Sequence, residues 1–377
     1  MPVILLATTL MVAGMWVSKT LQPLWFAQEG HLRNFGLSTT AMAIAGLSAF
    51  WSHKIVAGRS VGGVLTASCL AYATGLALRV FVNSALVAIA SGLIAGLGAS
   101  MFLAAVRIDV ARQPTEQRLA SVSAREAAIQ VGTVIGTLLA AGLAAVVGRS
   151  LWIGLLVAPT LLIAAAVVGR RVGRPADSAP PPPEEVQQSS GPMSGRSRVV
   201  GVWALRGFAA SLVIPYLPLL LEDRGVARSA IGVVLAAAAV GRLFALRLVP
   251  LLDRHLGTRR SAVVSELLLA LLTLALVPAV GATVVIAAVL LRFAVTTFTT
   301  VVQDLVLFSM ASPIALVGTA QAAFLIGDAA AGLVAPGLWL GGGEGALLIA
   351  VGLLFVTAIC NTTAILPQAR EREPAPA

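Results

Sequence analysis

Residues 241–260 read GRLFALRLVPLLDRHLGTRR, an apolar stretch that runs directly into a charged segment. The charged part, DRHLGTRR, begins at Asp253 and ends at Arg260. Apolar sequence resumes at once after it, so this short segment joins two stretches that are each long enough to cross a bilayer. The pattern predicts two membrane-spanning helices connected by a tight turn.

The composition indicates a membrane protein. Of the 377 residues, 58% are hydrophobic and 11% are charged, whereas a soluble chain carries about a quarter charged residues. Apolar runs of about 20 residues, the length that crosses the hydrocarbon core, recur along the whole chain. We therefore expect an all-α membrane protein, with the lipid bilayer as its main partner.

The apolar runs predict twelve helices. They cover residues 3–26, 37–57, 61–81, 84–107, 119–147, 150–169, 199–221, 229–251, 261–280, 282–306, 315–340 and 345–366. An even number of spans puts both termini on one side of the membrane. Most of the basic residues lie in or beside the connections on that side, which by the positive-inside rule is the cytoplasm.

This distribution also explains the net charge of +10 without a nucleic-acid partner. Cys69 and Cys360 fall inside predicted helices, so we expect free thiols, no disulfide and no metal site. The sequence contains no phosphate-binding Gly-Lys-Ser/Thr motif and no recognisable nucleophile–base set, so we expect neither an ATPase nor another enzyme. The glycines of 92–98 lie in an apolar span and predict close helix packing instead of a phosphate loop.

The chain is predicted to divide into two six-helix bundles. Residues 170–198 are rich in Pro, Ser and charge, which predicts a cytoplasmic linker between bundles at 1–169 and 199–366, with a cytoplasmic tail at 367–377. The two bundles align as copies. The register that matches Arg59 with Arg254 also matches Pro23 with Pro218 and Asp109 with Asp304.

The segment at 241–260 resembles the hallmark cytoplasmic loop of the major facilitator superfamily, G-x-x-x-D-R-x-G-R-R, with one extra residue between the Arg and the Gly. The resemblance extends over residues 1–366. It implies twelve helices in two pseudo-repeats, with cargo bound near the midplane between them and exposed to each side in turn. In the first repeat the loop is degenerate, because Gly58 replaces the acidic residue and Gly63 replaces an Arg.

The resemblance also implies a charge cluster that latches the cytoplasmic side. Its predicted members are the loop residues and the acidic ends of the fourth and tenth helices: Arg59, Asp109, Arg112, Asp253, Arg254, Arg259 and Asp304. The alternative is that the loop arginines only set the topology.

Polar side chains inside the predicted spans are costly and mark candidate functional sites. Arg292, Thr296, Thr299 and Gln303 share one face of the tenth helix, and Glu126, Gln130, Thr133 and Thr137 share one face of the fifth. We expect both stripes to be water-facing walls. The repeat places Asp328 on the corresponding stripe of the eleventh helix.

These residues form our predicted cargo and coupling sites. For cargo we predict side chains of the first, fifth, seventh and tenth helices, namely Trp16, Lys19, Gln22, Gln130, Thr133, Tyr216, Arg292, Thr296 and Thr299. For proton coupling we predict Asp328 and then Glu126, together with Arg242. A purely structural salt bridge between Arg242 and Asp328 is an alternative. We expect Arg206 to be interfacial and Glu266 to lie on a peripheral helix.

The resulting hypothesis is a monomeric secondary transporter in the cell membrane, without a cofactor and driven by an ion gradient. Protons are the default coupling ion, and Na⁺ is the alternative. The resemblance favours efflux of a drug-like, amphipathic or anionic metabolite. However, the fifth helix lacks the Gly-Pro signature of that branch and the fourth lacks its Arg, so proton-coupled uptake of an organic acid or sugar is the alternative. A membrane sensor or scaffold without transport is a third hypothesis.

Overall fold

The computed structural model describes residues 2–48, 59–81, 83–111, 115–172, 193–277, 281–308 and 313–370, and none of these residues is in a β-strand. The helices are α1 (Pro2–Gln28), α2 (Leu32–Gly46), α3 (Val61–Leu78), α4 (Ala85–Ala111), α5 (Thr115–Val147), α6 (Leu151–Gly169), α7 (Met193–Val213), α8 (Leu217–Asp223), α9 (Arg228–Leu256), α10 (Thr258–Leu274), α11 (Ala282–Phe308), α12 (Pro313–Leu340) and α13 (Glu344–Arg370). A 3₁₀ turn, Ile214–Tyr216, separates α7 from α8.

Ten helical segments in this part of the chain are long and apolar enough to span a membrane. The all-α membrane architecture predicted from the sequence is therefore confirmed. Helices α1 to α6 correspond to the first six predicted helices, α7 with α8 to the seventh, and α9 to α13 to the last five.

Several helices differ from the predicted spans. The seventh helix was expected to be continuous, but it is interrupted at Ile214–Tyr216. The reason is that Pro215 and Pro218 both lack the N–H group that a continuous helix requires. The second helix begins at Leu32 instead of residue 37, and its predicted end at residue 57 lies outside the described residues. The ninth ends at Leu274 instead of residue 280.

The charged segment at 253–260 is mostly helical. Helix α9 continues to Leu256 and α10 begins at Thr258, so Gly257 alone separates them. Gly257 has φ +73°, a left-handed conformation that glycine adopts without steric cost. The predicted tight turn is thus a single residue, and the charged residues around it lie on two helix ends.

The helices pack as two groups, which we call the N-terminal half (α1–α6) and the C-terminal half (α7–α13). In the first, α1 packs against α5 and α6, and α4 packs against α2 and α3; in the second, α7 packs against α12 and α13, and α11 packs against α9 and α10. The halves meet mainly where α2 contacts α12 and where α5 contacts α9.

The halves are joined at one face of the molecule, which we call the outer face and which carries the α1–α2 and α5–α6 turns. Arg228, the first residue of α9, donates from Nη1 to Oε1 of Gln28 at the end of α1 (2.8 Å). Closer to the centre, the Thr40 hydroxyl donates to the carbonyl oxygen of Ala329 (3.0 Å).

Aromatic rings reinforce this closure. Phe35 of the N-terminal half meets Tyr216 of the C-terminal half edge to face, with ring centroids 5.3 Å apart and planes at 81°. Tyr216 in turn stacks on Trp339, again at 5.3 Å. The Trp339 indole N–H donates to the carbonyl oxygen of Leu212 (2.9 Å), which fixes the stack to α7. The outer end of the space between the halves is therefore filled by buried rings.

Glycines allow the close helix packing that was predicted for residues 92–98. A Cβ at Gly98 would lie 2.6 Å from the backbone nitrogen of Tyr72, so α3 and α4 are in contact through their backbones. Small residues at such crossings are how membrane helices gain packing contacts. This prediction is confirmed.

We predict that Gly98→Leu destabilises the protein by about 1–3 kcal/mol, because the added side chain must push α3 and α4 apart. Gly352→Leu is the matched control, since nothing lies within 4 Å of a Cβ at that α13 position. The measurement is the melting temperature of the purified variants in detergent. Equal melting temperatures for both would show that the α3–α4 contact is not close.

Candidate functional site

A charged site lies at mid-depth between the two halves. Lys19 on α1 is exposed, although electrostatic interactions link it to Asp328 and Arg242 of the opposite half. Because this side chain faces the other half and remains exposed, a space lies beside it between α1 and α12. The Lys19 ammonium lies 5.4 Å from the ring centroid of Trp16, one turn earlier on the same face of α1.

Asp328 on α12 provides the negative charge opposite Lys19. Its carboxylate is half-buried and accepts a hydrogen bond from the Ser211 hydroxyl of α7. Tyr216 also lies within electrostatic range of it, and the Tyr216 hydroxyl is buried without a hydrogen-bond partner. Asp328 therefore has one fixed partner in its own half and one charged partner across the space.

A second pair of opposite charges spans the halves, with the acid on the N-terminal half and the cation on the C-terminal half. Arg242 on α9 interacts electrostatically with Glu126 on α5, whose Oε1 accepts from Gln130 Nε2 (3.1 Å). The Arg242 guanidinium lies 5.0 Å from the ring centroid of Phe293, and its Nε has no hydrogen-bond partner. Each half thus presents one cation and one acid to the other half.

The structural salt bridge considered between Arg242 and Asp328 does not form. Among the described residues, the ion pairs within 4.0 Å are Arg206–Glu266 and Arg228–Glu222. Arg242 and Asp328 have separate partners because α1 and α5 of the N-terminal half supply a counter-charge to each. This separation leaves both residues available for the separate roles that were predicted for them.

The polar stripe on α11 faces α10 instead of the space between the halves. Arg292 is 2% exposed, and its Nε donates to the Thr273 hydroxyl of α10 (3.1 Å). Gln303, at the other end of the stripe, donates to Glu266 of α10. Thr299 is fully buried and bonds within its own helix, and Thr296 is half-buried. The expected water-facing wall is therefore turned inward, into the C-terminal half.

The remaining predicted cargo residues on α1 and α5 are buried. Gln130 and Thr133 are 4% and 2% exposed, and the Thr133 hydroxyl donates to the carbonyl oxygen of Ile129 (2.9 Å). Gln22 is 2% exposed, and its Nε2 has no hydrogen-bond partner. A buried amide without a partner is unusual in a native fold.

Two charged residues that were not predicted to form a site are buried together. Arg206 and Glu266 are 5% and 0% exposed. Arg206 Nε lies 3.4 Å from Glu266 Oε1, and Gln303 hydrogen-bonds both residues. The cluster joins α7, α10 and α11, and no spacing within one helix could have revealed it.

One charged residue was missed altogether. Arg79, directly after α3, is 4% exposed and donates to the Ser18 hydroxyl of α1 (2.9 Å) and to the sulfur of Met42 on α2 (3.3 Å). Its Nε has no partner. An Arg at the predicted end of an apolar span normally reaches outward to the interface, so the sequence contained no signal that this one points inward.

The predicted cytoplasmic latch stays a prediction. Arg59 and Arg254 are exposed and Asp109 is half-buried, whereas Arg112 lies outside the described residues. For Asp253, Arg259 and Asp304 the structure describes the helical backbone alone.

Known proteins show the same architecture. The sequence matches the model of the Major Facilitator Superfamily over residues 4–336, and no curated protein sequence matches it. The fold is similar to the nucleoside transporter NupG, with 14% identity, 97% of this chain and 98% of that chain covered, and a TM-score of 0.72. It is also similar to a D-xylose–proton symporter, with 13% identity, 98% of each chain covered and a TM-score of 0.72.

A third similar structure is a bacterial homologue of the iron transporter ferroportin in an inward-facing state. Its identity is 15%, the coverage is 97% of this chain and 98% of that chain, and the TM-score is 0.72. At these identities the likeness concerns the fold alone.

We predict that Glu266→Ala destabilises the protein by about 3–5 kcal/mol, because it leaves the Arg206 charge buried and unpaired. Glu222→Ala removes the carboxylate of the more exposed Arg228 pair and is expected to cost at most about 1 kcal/mol. The double variant Arg206→Met, Glu266→Leu is expected to recover most of the stability. Denaturation in detergent measures all three variants. Equal losses for the two single variants would contradict a buried pair.

Proposed function

The chain belongs to the major facilitator superfamily and is a membrane transporter, not an enzyme, and we propose that it is a proton-coupled secondary transporter of a small anionic or amphipathic molecule. The observation that carries this proposal is the exposed Lys19 of one half facing the carboxylate of Asp328 in the other. A charge without a counter-charge at this depth of the membrane costs free energy. Each of the two groups therefore needs the other, or a charged ligand, as its partner.

The contacts between the halves support alternating access. The Arg228–Gln28 hydrogen bond and the Tyr216 ring stack join the halves at the outer face. At the depth of Lys19 a space lies between α1 and α12, while α2 still contacts α12 through the Thr40–Ala329 hydrogen bond. Such an arrangement fits a state that is closed on the outer side and open toward the other, and rocking the halves would exchange the two.

The charges also support coupling to protons. Protonation of Asp328 would remove the negative charge that attracts Lys19, and Lys19 could then hold an anionic group of the cargo. The proton and the anion would therefore bind together and cross together. With an inward proton gradient, this geometry favours uptake of an organic anion.

Export is the second candidate function. It is favoured by the resemblance of the 241–260 segment to the hallmark loop, because transporters of the efflux branch carry a well-matched copy of this loop. Export against an inward proton gradient requires the cargo and the proton to bind in alternation instead of together. Cargo that displaces the Asp328 proton, such as an amphipathic cation, would fit this cycle.

We propose the cell membrane as the location, with both termini in the cytoplasm, on the basis of the Arg-rich connections. We further propose that the protein acts as a monomer and needs no cofactor beyond an ion gradient, with Na⁺ as the alternative to H⁺.

The test is proton movement in proteoliposomes with an imposed pH gradient. A panel of organic anions, sugars and lipophilic cations is added outside to wild type, Asp328→Asn and the matched control Glu344→Gln, which removes an exposed carboxylate at the start of α13. We expect at least one compound to move protons in wild type and in the control, and none to do so in Asp328→Asn, because the neutral amide cannot carry a proton.

The direction of the pH change distinguishes the two candidates. Protons that enter the vesicle together with an added anion indicate uptake, and protons that leave as cargo enters indicate exchange. Cargo flux of equal size in wild type and Asp328→Asn, without any proton movement, would contradict proton coupling.

A further inference from the structure

Within the described part of the chain, two guanidinium groups are buried without a carboxylate partner. Arg79 is 4% exposed and Arg292 is 2% exposed. Neither has an acidic oxygen within 4.0 Å among the residues that the structure describes. Their nearest donors and acceptors are neutral, namely Ser18 and Met42 for Arg79 and Thr273 for Arg292.

Their hydrogen bonding is also incomplete. Arg79 Nε and Arg292 Nη1 are buried atoms without any partner. A buried charge normally has an opposite charge and a full set of hydrogen bonds, because desolvation costs several kcal/mol per ion. This desolvation cost arises once in each half, from Arg79 in the N-terminal half and from Arg292 in the C-terminal half.

Each of these residues lies within electrostatic range of a cation that faces the space between the halves. In the N-terminal half, Arg79 binds the Ser18 hydroxyl, and Ser18 precedes Lys19 in α1. In the C-terminal half, Arg242 covers the ring of Phe293, which follows Arg292 in α11. Electrostatic repulsion acts within both pairs. We call Lys19 with Arg79 the N-terminal cation pair, and Arg242 with Arg292 the C-terminal cation pair.

In each cation pair, an acid of the site offsets the positive charge of one member only. Asp328 interacts with Lys19, and Glu126 interacts with Arg242. Arg79 and Arg292 add a positive charge on each side that no described carboxylate neutralises. The space between the halves therefore has a positive pole on its N-terminal wall and another on its C-terminal wall.

We infer that the cargo carries two anionic groups, one held by the N-terminal cation pair and the other by the C-terminal cation pair. A short dicarboxylate or a comparable dianion is the matching chemical class. Lys19 and Arg242 contact the anionic groups, and Arg79 and Arg292 are positioning residues that hold positive charge behind them. This inference rests on the transport function proposed above, and it specifies the cargo class of that site.

The test is equilibrium binding of straight-chain dicarboxylates, from malonate to adipate, to the purified protein in nanodiscs without a gradient. Monocarboxylates of the same carbon number are the matched ligands. The readouts are calorimetry and the ligand-induced shift in melting temperature. We expect the best dicarboxylate to bind at least about tenfold more tightly than its matched monocarboxylate, because it satisfies both poles.

Variants separate an electrostatic role from a structural one. Arg79→Met and Arg292→Met are each expected to weaken dicarboxylate binding about tenfold, while Arg79→Lys and Arg292→Lys retain most of it. Without ligand, the Met variants should be as stable as wild type or more so, because each loses an uncompensated buried charge. Arg149→Met, which removes an exposed arginine from the outer face, is the control and should bind like wild type.

Two results of the binding and stability measurements would overturn the inference. One is equal affinity for dicarboxylates and their matched monocarboxylates. The other is Met variants that lose stability but keep wild-type dicarboxylate affinity, which would make both arginines structural. Proton-coupled flux of a monoanionic or amphipathic cargo, without dicarboxylate binding, would preserve the proposed function and refute this inference. Dicarboxylate binding without proton flux would support this inference and contradict the proposed proton coupling.

Discussion

The structure depends on opposite charges that face each other across two helical halves inside a membrane. Lys19 is exposed in the space between the halves, and Asp328 provides the opposing charge from the far wall. In a low-dielectric environment such groups attract each other strongly. Separating them leaves each charge uncompensated unless a proton or another ion takes the place of the partner. A proton on Asp328 or an anion beside Lys19 is such a replacement. The same interaction therefore stabilises one arrangement of the halves and makes that arrangement responsive to ligands.

The surrounding packing determines where the halves can separate. At the outer face they are held by Arg228 and Gln28 and by the rings around Tyr216, so apolar contact and hydrogen bonds both favour closure. Deeper in the molecule, Lys19 of α1 and Asp328 of α12 carry opposite charges on the two sides of a space. Within each half, backbone contacts such as that of Gly98 with Tyr72 hold the helices together. Similar backbone contacts, such as that of Gly36 with Gly332, hold α2 against α12 where the halves meet.

Much of this fold could be predicted from the sequence, because a membrane span is recognised from its own length and apolarity, without knowledge of the helices that pack against it. The pairing of polar groups could not, because it depends on which helices become neighbours. The α11 stripe was correctly placed on one helix face, yet that face turns toward Thr273 and Glu266 of α10. Likewise, Arg79 lies where arginines usually reach outward, and only the proximity of α1 and α2 brings it to Ser18 and Met42.

The charge that Asp328 places opposite Lys19 is expected to stabilise closure of the outer face. Pulsed dipolar measurements of the distance between spin labels at residues 149 and 344 test this expectation, because both positions are exposed on the outer face and belong to different halves. In protein with Cys69 and Cys360 replaced, we expect one short distance for the otherwise wild-type protein and an added population at longer distance in Asp328→Asn. Identical distance distributions in the two proteins would contradict it.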